Sequence, residues 1–380
     1  MMGNFIIGLD IGTSKISAVA CNAGDMAQAA VRSVANDADM DCNEAGGHQQ
    51  DPARIIRLSL DLLREIIADR VINGDISAIG ISGQMHGVVL AGHGLEPLTP
   101  LYSWRDQRIS PRFGEALTKA GSDHHNRCGA FLGAGYGAVT LNRLAETSEF
   151  PAGSTALTIA DLVAGHLTGL AATGATNAAG WGLYNLRGRC WDEQTVGAMG
   201  IPPGILPRLS NDQPLLGSVK PSICGYIGVV AGVPVAVPIG DNQASVIGAV
   251  GLDADTAVVN IGTGAQISIP CRGSDVLSGL ETRPMPFGGF IKVGASLCGG
   301  WAYAYLKEFF KEVVTGLSGR SIGDAELYAA MNRLAASSGS GAGKIKADTR
   351  FAGTRTNPAV RGSFSSLDTG NMTVANMARS

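Results

Sequence analysis

Residues 8–15 read Gly-Leu-Asp-Ile-Gly-Thr-Ser-Lys, and residues 260–264 read Asn-Ile-Gly-Thr-Gly. In the first stretch the apolar run Phe5-Ile6-Ile7-Gly8-Leu9 has β character, meets Asp10 and turns at Gly12-Thr13-Ser14. A second β-like run follows at residues 16–20, so two short strands about a Gly-Thr-Ser turn predict a hairpin. From Ile11 to Ile261 the pattern recurs 250 positions later: a strand at residues 256–261, an Ile-Gly-Thr turn, and a returning strand at Gln266-Ile267-Ser268-Ile269. A repeat at that distance is not a solenoid. It predicts two halves of one duplicated α/β unit, each presenting a Gly-Thr hairpin tip.

The elements between the tips fit that reading. Asp51-Pro52 supplies an N-cap with proline at the first helical position, and Ile55, Ile56, Leu62, Leu63, Ile66 and Ile67 mark one helical face. A buried-type strand, residues 76–82, runs straight into Gly83-Gln84-Met85-His86-Gly87. Strand, helix, strand is α/β organisation. Residues 229–239 read as a further strand that ends at Gly240-Asp241-Asn242. Residues 301–314 predict an amphipathic helix, with Tyr305, Leu306, Phe309, Phe310 and Val313 opposite Lys307, Glu308, Lys311 and Glu312. Asp324 is expected to cap another helix running through Leu334, and residues 337–343 form a Ser/Gly-rich loop.

Composition limits what such a chain does. Its 380 residues are enough for two or three domains of ordinary size, with no need for disulfide or metal staples. Glycine, 53 of 380, is about twice its usual share of ~7%. That marks a backbone that turns tightly or approaches ligands closely at many points. The net charge of -3 with no basic run argues against a nucleic-acid partner and for a small ligand. Seven scattered cysteines without C-x-x-C suggest reduced thiols. The apolar run at residues 5–7 is too short for a signal peptide, and the longest apolar stretch, residues 229–239, is broken by Pro234 and Pro238. The expectation is a soluble, cytoplasmic protein that binds no membrane.

Several residues suit phosphate and sugar chemistry, each with a plainer alternative. Two glycine-hydroxyl tips form a phosphate clamp if they face one another, because glycine lets backbone N–H groups reach phosphate oxygens. Asp10 beside the first tip suits a hydrated divalent cation. Taken singly, each hairpin is equally well an ordinary tight turn. Asp241 follows an apolar strand, where a carboxylate can take a hydroxyl proton during phosphoryl transfer; the alternative is a helix N-cap. Gln84, Met85 and His86 suit a polyol, against structural roles for His86 and Met85. Trp104-Arg105-Asp106-Gln107-Arg108 pairs an aromatic face with charges, as sugar sites do and as surface loops also do. Gly341-Ala342-Gly343-Lys344-Ile345 is no P-loop, since position 338 is serine and Ile345 has no hydroxyl.

Together these segments resemble the FGGY carbohydrate kinases of the actin/hexokinase-like ATPase superfamily. GLDIGTSK (8–15) and NIGTGAQ (260–266) look like the two phosphate loops, GISGQMHGV (80–88) and WRDQR (104–108) like the ketose loops, and PIGDNQAS (238–245) like the catalytic-Asp motif. NAAGWGLYN (177–185), GASLCGG (294–300) and FAGTRTNPAVRGSF (351–364) look most like the sedoheptulokinase branch. The resemblance implies an α/β fold of two ribonuclease H-like (actin/hexokinase-type ATPase) domains around a cleft. The first would span residues 1–251 and the second 252–380, the latter incomplete. It implies ATP- and Mg²⁺-dependent phosphorylation of a ketose at its terminal hydroxyl: sedoheptulose first, xylulose as alternative, with a truncated non-catalytic sugar binder as the remaining option. By matching positions, Asp241 would be the general base and Asp10 the acid on the Mg²⁺ side. Gly12, Thr13, Ser14 and Lys15 with Gly262, Thr263 and Gly264 would hold ATP. Gln84, Met85, His86, Trp104 and Asp106 would line the sugar pocket, with Asp241 at its floor. Three positions depart from the family pattern: Ser17 stands where a basic residue is usual, Ala175 where an Asp is usual, and the chain stops at Ser380, about a hundred residues before family members do, one domain's worth. Oligomeric state is left open, a homodimer included.

Overall fold

The computed structural model describes residues 4–109, 112–210, 213–252, 256–354 and 359–380. It divides into two compact units, Met1–Thr256 with Ile269–Lys292, and Ala257–Ser268 with Val293–Ser380. In the first unit the hairpin at residues 8–15 forms as the sequence predicts. Strand Phe5–Ile11 pairs antiparallel with Lys15–Asn22, and that strand pairs with Gln28–Ala35. On its other side Phe5–Ile11 runs parallel to Ile76–Gly83, which in turn accepts Pro234–Ala236 and Ile239–Gly240 in parallel. Leu215–Ser218 closes the outer edge, completing a seven-stranded mixed sheet.

Alternation along the first strand explains where its chemistry goes. Phe5, Ile7, Leu9 and Ile11 are buried on one face, while Ile6, Gly8 and Asp10 lie on the other. The buried face packs on the helix Pro52–Ile67, whose Ile55, Leu62, Leu63 and Ile66 are buried in the same core. Asp51 caps that helix through Ala53 N at 2.8 Å, and Pro52 sits in its first turn. Truncating a side chain such as Leu63 to alanine there costs about 2–5 kcal/mol. With the core on one side, Asp10 is carried on the opposite face at the carboxyl end of its strand.

Residues 229–239 depart from the expected single strand. Helix Pro221–Ile227 ends at Gly228 with φ of 82°, Gly232 turns again at 91°, and pairing is confined to Pro234–Ala236 and Ile239–Gly240. Pro234 and Pro238 have no N–H to give a ladder, so a long strand is not sustainable there.

In the second unit, strand Val258–Ile261 pairs with Ala265–Cys271 about the tip at residues 262–264, as the sequence repeat predicts. Helix Gly300–Ser318 forms as expected, but of its apolar face only Leu306 and Phe310 join a core, with Leu327 and Met331. Tyr305, Phe309 and Val313 are exposed, and Leu317 is 86% exposed. Asp324 is not a cap: Gly323 holds that position, and the Asp324 carboxylate accepts from Lys307 at 2.6 Å and Lys311 at 2.7 Å. Those lysines sit one helical turn apart and clamp the start of the next helix. Helix Val374–Arg379, capped by Thr373, closes the unit. Of the segment 351–364, residues 355–358 lie outside the described residues. Among the described residues every cysteine is free, and no helix is long and apolar enough to cross a membrane.

Candidate active site

Register places the chemistry. Asp10 is level with Ser82, Ile11 with Gly83, and Gly240 with Gly83, so three neighbouring parallel strands end together. Asp10, Gln84 and Asp241 therefore emerge at one sheet edge, the place where open α/β sheets gather ligands. Asp10 Oδ1 accepts the Ser82 hydroxyl at 2.7 Å. Ser17, the departure noted above, lies directly across the hairpin from Asp10.

Asp241 is the first residue of helix Asp241–Val250, and Gly240 precedes it as N-cap. The N-cap alternative for Asp241 is thus not what forms; its Oδ1 accepts the neighbouring Asn242 N–H at 2.7 Å. Burial raises its pKa to about 6, Asn242 N–H opposes the rise, Asp10 adds to it, and Arg283 opposes it. A carboxylate poised near neutrality at a strand end has the properties of a general base.

Gln84 and Trp104 are wired to the first hairpin tip. Thr13 Oγ1 donates to Gln84 Oε1 at 3.0 Å and accepts the Trp104 indole N–H at 2.9 Å. Gln84 Nε2 donates to Gln50 Oε1, and Gln50 Nε2 donates back to Thr13 O, both at 2.9 Å. Asn36 Nδ2 donates to Gly12 O at 2.9 Å. Gly12 itself allows the turn: a Cβ there would stand 2.8 Å from Lys15 O. Ser14 and Lys15 are exposed. Trp104 is 41% exposed, with the Arg105 guanidinium 5.2 Å from its ring.

Met85, His86 and Asp106 sit deeper. Met85 is buried, and its sulfur would be 2.6 Å from a Cβ at Gly240, so glycine at that position lets the loop and the strand leading to Asp241 meet. His86 adopts a left-handed φ of 75°, bonds Gly180 O through Nδ1, and stacks on Tyr136 at 3.9 Å. Both Asp106 oxygens accept from Arg108, at 2.7–3.1 Å, which makes Asp106 a brace for the loop carrying Trp104. Segment 177–185 backs the site: Asn177 holds Asp161, and Trp181 donates to Gly87 O at 3.0 Å.

Sequence reading passed over Arg283, Glu281 and Tyr136 here. Arg283 is buried, forked onto Glu281, and donates to Asn242 Oδ1 at 3.2 Å; Tyr136 OH donates to Glu281 Oε1 at 3.2 Å. Two charges spaced i, i+2 in the short stretch Glu281-Thr282-Arg283-Pro284 were the available signal, because that spacing puts both on one face of a strand.

In the second unit the tip is held by backbone. Gly299 N and Trp301 N donate to Thr263 O at 2.8 and 3.2 Å, and Gly300 N donates to Gly262 O at 2.7 Å. A Cβ on Gly299 would stand 2.4 Å from Gly264 O. Beside the tip lies a cavity of about 210 Å³ lined by Asn260, Gly262, Gly264, Gln266 and Ser296. No group of three or more acidic, His or Cys residues suited to a metal occurs among the described residues.

Residues 5–248 match the model described as FGGY family of carbohydrate kinases, N-terminal domain. The chain is 28% identical over 364 residues to the sedoheptulokinase of Mus musculus, covering 87% of this chain and 74% of that one. It is 25% identical over 343 residues to the xylulose kinase of Bacillus subtilis (strain 168), covering 84% and 66%. The solved xylulose kinase from Rhodospirillum rubrum matches with a TM-score of 0.85 at 22% identity, over 99% of this chain and 75% of that chain. That likeness shows the fold, an α/β fold of the actin/hexokinase-like kind.

Proposed function

The chain belongs to the FGGY family of carbohydrate kinases, and on that premise we propose that it transfers the γ-phosphoryl group of ATP to the terminal hydroxyl of a ketose, with sedoheptulose the preferred acceptor. The observation that carries this reading is Asp241, a carboxylate raised to about 6 at the same sheet edge as Asp10 and Gln84. The sedoheptulokinase of Mus musculus supports the choice of sugar. D-xylulose is the second acceptor, favoured by the Bacillus subtilis relative.

In the proposed reaction Gln84, His86 and Trp104 orient the ketose, and Asp241 takes the proton from its terminal oxygen as that oxygen attacks phosphorus. In each unit the glycine-hydroxyl tip, residues 12–14 in one and residues 262–264 in the other, has the close-approach backbone that phosphate oxygens require. A hydrated Mg²⁺ fits Asp10, since Mg²⁺ keeps several waters and takes only one or two carboxylates, which leaves Asp241 free for the sugar hydroxyl. Bound there, it would neutralise the charge that develops on the transferred phosphoryl group.

The test is ADP release by the purified protein with ATP and Mg²⁺ against sedoheptulose, D-xylulose, gluconate and glycerol, beside calorimetric binding of each sugar. ADP release dependent on a ketose, fastest with sedoheptulose, is the expected result. Ketose binding with no ADP release would make the chain a sugar binder instead.

A further inference from the structure

Arg283 is a formal charge buried beside the site, and its three nitrogens divide between two tasks. Nε, at 2.8 Å, and Nη2 bind Glu281 Oε2, while Nη1 donates to Asn242 Oδ1 at 3.2 Å and lies 4.0 Å from Met85 Sδ. Glu281 is in turn fixed from the far side: its Oε1 accepts Tyr136 OH at 3.2 Å and Phe131 N at 3.3 Å. Tyr136 stacks on His86 with an interplanar angle of 13°.

We propose that Arg283 is a positioning residue: through Asn242 on one side and Glu281–Tyr136–His86 on the other, it locks the start of the Asp241 helix to the sugar loop, so that the base is aimed only when the loop is in place. This rests on reading Asp241 as the base.

A buried guanidinium is costly unless paired, and its N–H groups beyond the ion pair need acceptors as well. The Glu281 fork supplies the ion pair, and Asn242 Oδ1 takes the remaining nitrogen, so one bond both satisfies the cation and ties it to the Asp241 helix. That tie is what a positioning role needs. Asn242 is the residue after Asp241, and helical geometry makes a shift of one a shift of the other. The charged groups acting on Asp241 are Asp10, on the first strand, and Arg283; the latter favours its ionised form. Burial works against the Arg283 charge, yet Glu281, Tyr136 and Asp241 hold its pKa above the ordinary value. Arg283 therefore stays a cation throughout the working range.

Removing Arg283 alone would take the Arg283 cation from beside buried Glu281, so the informative variant is Glu281→Gln with Arg283→Met, read beside Arg283→Lys and Asn242→Ala. Ketose-dependent kcat is expected to fall about tenfold or more, with ketose KM changed less than threefold, because aim and not affinity is lost. Arg283→Lys keeps the charge without the fork and should recover only part of that. Asn242→Ala combined with the double variant should cost little more than either, since both cut one link. Hydrogen–deuterium exchange gives a readout independent of turnover: the first turn of the Asp241–Val250 helix should exchange faster in the double variant, with the Pro52–Ile67 helix unchanged. Unaltered exchange at that turn, additive kinetic losses, or a loss carried by KM alone would overturn the proposal. If the wild-type chain phosphorylates no ketose, the exchange comparison still decides the lock, while the kinase reading fails separately.

Discussion

The two hairpin tips share Ile-Gly-Thr and almost nothing of their support. The first stands on strands whose Leu9 and Ile11 are fully buried under a capped helix, and its Thr13 is tied by side chains to Gln84, Trp104 and Gln50. The second stands on strands whose Val259 and Ile261 are 60% and 68% exposed, and it is tied by backbone N–H groups from residues 299–301. Similar turns are thus held for different ends. Side-chain wiring couples the first tip to Gln84 and Trp104, whereas backbone wiring packs the second so closely that a Cβ at Gly264 or Gly299 would collide with backbone oxygens.

The largest effect falls on Asp241, which shares a unit with the first tip alone. Asp241→Asn should lower ketose-dependent turnover by about 10²-fold or more while leaving ketose binding measurable by calorimetry. In the wild type, kcat/KM should fall as pH drops through about 6, where Asp241 takes up a proton.

Alanine at a tip glycine tests the contrast directly. Gly12→Ala would set a Cβ 2.8 Å from Lys15 O, and Gly264→Ala would set one 2.8 Å from Ser296 O. Each turn must shift at about 1–3 kcal/mol of strain, so the KM for ATP should rise about tenfold in both. Only Gly12→Ala should also raise the ketose KM, because Thr13 moves with it. Equal effects on the ketose from both variants would erase the distinction.

Thr13→Val is milder. It leaves Gln84 Oε1 and the Trp104 N–H without their shared partner, about 1–3 kcal/mol, which should raise the ketose KM roughly tenfold and the ATP KM far less.

The effect on stability runs opposite to activity. Folding raises the Asp241 pKa from 3.8 to about 6, so the folded chain holds that proton more tightly and loses stability as pH rises across this window. Asp241→Asn removes the loss and should be more stable than wild type at pH 8 by up to about 3 kcal/mol, with the gap closing near pH 4, as read by denaturant melts.

Much of this was legible beforehand because it is local. The β-like run at residues 5–9, the Asp51-Pro52 cap and the Gly-Thr turns are written in neighbouring residues, and each formed as read. Residues 229–239 misled because apolar content was weighed above the two prolines and Gly232 that interrupt pairing. Asp324 looked like a cap because acids favour helix starts; its partners Lys307 and Lys311 belong to another helix. Arg283 was invisible for a related reason. Its meaning comes from Asn242 and Tyr136, 41 and 147 positions away, and only the fold brings them together.

The most direct measurement follows the phosphorus itself. Incubated with γ-labelled ATP, Mg²⁺ and sedoheptulose, the chain should place the label on the terminal oxygen of the sugar, and the Asp241→Asn variant should not. Label left on ATP or released only as inorganic phosphate by the wild type, or transfer undiminished in the variant, would contradict Asp241 as the base of a ketose kinase.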